Sequence, residues 1–68
     1  MPLEKCGDNG WRWGQQGKCY EGPGAKMKAL KQGYAENPKH FREEMKSQGI
    51  SEYETEFLIT EFPKFKDA

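Results

Sequence analysis

Reactive side chains are few in this sequence: two cysteines, Cys6 and Cys19, and one histidine, His40. Two cysteines allow three chemistries. As a disulfide they close a loop worth about 3 kcal/mol on the chain-entropy argument. The turn residues Gly7-Asp8-Asn9-Gly10 and Gly14-Gln15-Gln16-Gly17 border them and can bring the sulfurs together. A zinc site would add His40 and a fourth ligand from Asp8 or a glutamate. Structural zinc sites favour paired Cys-x-x-Cys spacing, which neither cysteine has. The opening residues, Met1 to Cys6, lack the apolar core of a signal peptide, which points to a reducing compartment. Buried structural thiols are therefore the first reading, a disulfide the second and metal the third. No cofactor is expected.

Any acid–base mechanism would rest on His40. It falls early in an expected helix, beside Lys39 and Arg42, with no serine, cysteine or carboxylate as an evident partner in sequence. It reads as a solvated surface residue, and the chain as non-enzymatic. Gly22-Pro23-Gly24-Ala25-Lys26 has the parts of an anion site at a helix start. It lacks the spacing of a phosphate-binding loop, and Pro23 removes one donor, so a plain turn is the better reading.

Trp11, Trp13 and Tyr20, with Arg12, Lys18 and the lysines at 26, 28 and 31, have the composition of a single-stranded nucleic-acid platform. The competing role is core. With 34% hydrophobic residues the chain has few rings to spare, so at least two of the three are expected inside. Formal net charge is zero, divided as +3 over residues 1–34 and −3 over residues 35–68. That balance makes nucleic acid an unlikely partner, since phosphate affinity grows with the cations engaged. The acidic set Glu43, Glu44, Glu52, Glu54, Glu56 and Glu61 is either a solvated helical surface or a docking face for a basic protein. Glu43, Glu44, Glu52 and Glu56 are its candidate interaction residues.

The scaffold must be small. A chain of 68 residues with mean hydropathy −1.11 buries only about 60% of its unfolded surface, and such chains lean on a disulfide, a metal or a partner. No apolar run approaches the roughly 18 residues of a membrane span, so a soluble, non-secreted protein is expected. Residues 1–22 form a hairpin region, with Trp13 facing Lys18, Arg12 facing Cys19 and Trp11 facing Tyr20. A helix over 23–36 starts with Pro23 at its first position and carries Met27, Ala29, Leu30 and Tyr34 inward. Gly33 inside it costs roughly 1 kcal/mol, which close packing against a ring would justify. Asn37 caps a helix over 38–48 with Phe41 and Met45 inward, and Gly49 ends it with Ile50 in apolar contact. Ser51 to Glu54 reads as a capping box opening a helix over 52–62. Its apolar positions are Tyr53, Phe57, Leu58 and Phe62, before a tail at 63–68. Residues 57–60 also have strand propensity, but the capping box decides for helix. The expected fold is α+β: one small domain, an aromatic β-hairpin packed on about three short helices.

Cys6 and the run Gly10-Trp11-Arg12-Trp13-Gly14 through Gly17-Lys18-Cys19-Tyr20 to Gly22-Pro23-Gly24-Ala25, then the lysine-rich stretch to Gly33, resemble a small motif of tailed-bacteriophage proteins. Such chains are associated with virion morphogenesis genes. The motif covers residues 6–33, with Cys6, Trp11, Trp13, Cys19 and Tyr20 as its structural positions. The family's basic helix commonly runs on, whereas this chain turns acidic from residue 35. The resemblance implies a virion-associated accessory protein that binds capsid or connector proteins, in the virion or the infected-host cytoplasm. The alternatives are a phage regulator that binds and inhibits a host protein, and a small nucleic-acid-binding module.

Overall fold

A computed structural model describes residues 2–65. Their order is β1 (Leu3–Cys6), β2 (Gly10–Trp13), β3 (Tyr20–Glu21), α1 (Ala25–Glu36), α2 (Pro38–Ser47), α3 (Glu52–Glu61) and a 3₁₀ turn over Phe62–Lys64. The fold is α+β, an antiparallel sheet of order β1-β2-β3 followed by helices.

Trp11 pairs with Tyr20 in the β2–β3 ladder, as their spacing predicts. The other two predicted pairs do not form, because β3 is only Tyr20–Glu21 and the second neighbour of β2 is the unforeseen β1. Leu3 thus pairs with Trp13, and Glu4 with Arg12. The latter is a cross-strand ion pair, with Arg12 Nη2 3.0 Å from Glu4 Oε1. Lys18 instead donates its N–H to Gln32 Oε1 at 3.2 Å, holding the Gly14–Lys18 connection against α1.

Helix α1 begins at Ala25, not 23. Pro23 lies in a turn closed by Ala25 N–H donating to Gly22 C=O, and Gly24 takes the cap position. Its buried stripe is Ala25, Ala29, Leu30 and Gly33. A Cβ at Gly33 would overlap the Trp13 indole, so the glycine is the seat of that ring. The conformational cost of a mid-helix glycine is repaid by this packing.

Asn37 Oδ1 accepts the His40 N–H at 3.1 Å, and Pro38 opens α2 where a proline is tolerated. The helix ends at Ser47 in a Schellman arrangement: Gly49 N–H to Lys46 C=O, and Ile50 N–H to Met45 C=O. Gly49 has φ +84°, and Ile50 packs on the cluster that holds Met45. Helix α3 starts with Ser51 Oγ accepting the Glu54 N–H at 3.1 Å, so residues 57–60 are helical. It ends at Glu61, and Phe62 and Lys64 bound the 3₁₀ turn where a plain tail was expected. Residues 66–68 of that tail, like Met1, lie outside the described residues.

The core is aromatic. Phe41, fully buried, has Trp13, Tyr34 and Phe62 at ring-centroid distances of 5.4, 5.7 and 5.8 Å. Leu30 and Met45 complete the buried set. Tyr20, Ala25 and Ala29 form a second cluster, with Leu3 and Trp11 against it. Tilted and edge-on rings at these distances add roughly 0.5–1.5 kcal/mol per pair beyond area burial.

Candidate functional site

Cys6 and Cys19 are joined as a disulfide, with Cα atoms 5.9 Å apart. This corrects the preference for free thiols and removes the two ligands that a zinc site would need. The missing information was β1, whose end carries Cys6 while Cys19 immediately precedes β3. The bond thus ties together the two outer strands of the sheet. Among the described residues no group of three His, Cys, Asp or Glu side chains is placed to hold a metal ion. His40 is about half exposed, with Nε2 3.7 Å from Glu44 Oε1. The Gly22–Lys26 turn uses the Ala25 N–H internally, and Lys26 leans over Trp11 with Nζ 5.3 Å from the ring centroid. No described helix is long and apolar enough to cross a membrane.

Trp13 and Tyr20 are buried, as the composition requires of two of the three rings. Trp11 is half-buried, and Lys5 as well as Lys26 sits over it, at 5.6 Å. Lys18 stands over Tyr20 at 5.3 Å. Lysines of this protein therefore occupy positions over the rings that a stacked base would use.

The four candidate glutamates do not form one uniform surface. Glu43 and Glu52 are exposed. Glu44 is half-buried next to His40. Glu56 accepts from Arg42 Nε at 2.7 Å and Nη2 at 3.4 Å, which straps α3 to α2. The hydrogen bond from Arg42 and its positive charge hold the Glu56 carboxyl below the ordinary glutamate range. Arg42 also lies over Tyr34, 5.6 Å from the ring centroid. Glu56 is thus a structural partner of α2 before it is anything else.

What the sequence reading misplaced is the apolar face of α3. Thr55 is buried, with Oγ1 donating to Ser51 C=O at 2.9 Å. Leu58 and Ile59 pack on the core cluster. Tyr53 and Phe57, expected inside, point outward at 84% and 54% exposure. At 3.6 residues per turn, the run Phe57-Leu58-Ile59 cannot face one way, and the stripe Thr55, Ile59, Phe62 leaves Tyr53 and Phe57 on the far side. That conflict within the run was the available signal. On the same wheel Glu52 and Glu56 flank the aromatic pair on one side, and Glu54 and Glu61 on the other.

Beside this ridge lies an open groove of about 430 Å³ between the sheet and the three helices. Its apolar lining includes Trp13, Met27, Leu30, Met45, Ile50 and Leu58. Lys26 stands on the α1 side, and Glu44 and Glu54 on the α2 and α3 side. Among the described residues, its lining holds no serine, threonine, cysteine or histidine. Ridge and groove together can grip an apolar, charge-bordered surface. Comparison of the chain with protein-family models, with characterised proteins and with solved structures gives no match.

Proposed function

We propose that this chain is a non-enzymatic docking module, a virion-associated accessory protein of a tailed bacteriophage that binds a capsid or connector protein through α3. One observation carries the reading: Tyr53 and Phe57, two large rings one helical turn apart, stand in solvent between rows of glutamates. A single exposed ring is ordinary. Two on one face, bordered by charge, have the anatomy of an interface centre, where aromatic anchors supply affinity and a polar rim supplies selectivity. The partner then presents apolar pockets bordered by basic residues. The phage setting is supported by the resemblance of residues 6–33 to the virion-associated motif. Against a nucleic-acid role stand the lysines over Trp11 and Tyr20 and the zero net charge.

The test is a quantitative protein census of purified particles alongside the cells that produce them. A virion component is present at a fixed copy number per particle. A protein abundant in cells and missing from particles would instead be a regulator acting on a host protein.

A further inference from the structure

We infer that the Cys6–Cys19 disulfide is a redox latch: a dithiol reductant releases residues 15–21 from the sheet and leaves the helical core folded. The latch lies outside α3 and goes beyond the docking reading. Between Trp13 and Ala25 only Tyr20 is buried. β3 adds two ladder pairs, Gly10 with Glu21 and Trp11 with Tyr20. The hydrogen bond from the Lys18 N–H to Gln32 is exposed to water. Ordering this segment costs more than a buried ring and so short a strand return. The covalent bond supplies the difference by shortening the loop that has to close.

The rest of the fold stands without it. β1 is held to β2 by four register pairs. Trp13, Leu30, Phe41, Met45 and Phe62 form their own cluster, and no residue of 15–21 belongs to it. Opening therefore uncovers the outer edge of β2 at Gly10 and Trp11, and the seat of Tyr20 on Ala25 and Ala29. Lys18, which stands over the Tyr20 ring, leaves with it. The redox state decides whether this edge is covered.

Cys19 is exposed and Cys6 half-buried, so Cys19 Sγ is the sulfur open to attack. A thiolate of the reductant bonds to it, and the Cys6 sulfur leaves as a thiolate and is protonated. The reductant's second thiol then closes on its own sulfur and expels Cys19. Two electrons and two protons pass from the dithiol, now a disulfide, to the cysteine pair. A small-molecule disulfide runs the exchange backward.

The test is NMR of the full chain without denaturant in three states: oxidised, reduced with dithiothreitol, and reoxidised with glutathione disulfide. Reduction should drop the backbone heteronuclear Overhauser effect at residues 18–21 from the level of the helices to that of a mobile loop. The Tyr20 ring signals should move to those of a solvated tyrosine. Overhauser contacts between Trp13 and Phe41 should persist, as should the helical shifts of α1 to α3. Reoxidation should restore the first spectrum, and Cys6→Ser/Cys19→Ser should reproduce the reduced one. Residues 18–21 that stay ordered after reduction would make the bond redundant and overturn the inference. So would loss of the Trp13–Phe41 contacts along with them, which would make the bond a staple of the whole domain. A bond that dithiothreitol leaves intact also overturns it.

Discussion

Gly33→Ala pits two local effects of opposite sign against each other. Position 33 lies inside α1, where alanine in place of glycine gains about 1 kcal/mol of helix stability. The added methyl, however, would overlap the Trp13 indole. That ring is buried to 8% exposure, packs on Phe41 at 5.4 Å, and belongs to a residue fixed opposite Leu3 in the ladder. It has little room to yield. Overpacking of this kind costs roughly 1–3 kcal/mol. Set against the helix gain, this leaves a net loss of up to about 2 kcal/mol, and with so rigid a neighbour the upper half of that range is expected, roughly 5–15 °C in Tm for a domain of this size. Thermal melts of the oxidised protein followed by circular dichroism read it directly. In a Trp13→Phe background the smaller ring makes room, so Gly33→Ala should cost at least about 0.5 kcal/mol less than in wild type. An unchanged or raised midpoint for the single variant would refute the packing role given to Gly33.

Reducing the Cys6–Cys19 bond, or replacing both cysteines by serine, should lower stability by about 3 kcal/mol; equal denaturant midpoints with and without reductant would argue against its role. Trp13→Ala should cost roughly 3–5 kcal/mol and Trp11→Ala clearly less, since only Trp13 is buried; urea titrations rank them, and the reverse order would contradict the core described. Glu56 should titrate below the unfolded glutamate value of about 4.3, and Arg42→Gln should return it to the ordinary range. The Arg42–Glu56 contribution is present above the unfolded value and lost as pH falls through the lower folded one; carboxyl carbon shifts in NMR follow it.

Local signals carried much of this fold. Asn37, Pro38, Gly49 and Ser51 do at α2 and α3 what their side chains or backbone freedom predict, because caps depend on neighbours within four residues. Gly33 was legible for a related reason: a costly residue in a helix implies something pressed against it. Long-range choices were hidden. Leu3-Glu4-Lys5-Cys6 has no strong strand pattern, and only pairing with Trp11, Arg12 and Trp13 makes it a strand. Without β1, Cys6 had no location and the disulfide could not be preferred over free thiols. The facing of α3 was hidden too, because its apolar residues surround the helix and a threonine takes a buried position by bonding Ser51 C=O. The candidate site inherits that misplacement, since Tyr53 and Phe57 read in sequence as apolar positions of α3 and stand in solvent.

The docking claim is tested most directly by a photoreactive phenylalanine analogue placed at position 53 during particle assembly, with the same analogue at exposed position 39 on α2 as control. Position 53 should give one discrete cross-linked product with a particle protein, identified by mass spectrometry, and position 39 should give little. No product from position 53, or equal yields of the same product from both positions, would contradict the assignment of Tyr53 and Phe57 as the docking anchors.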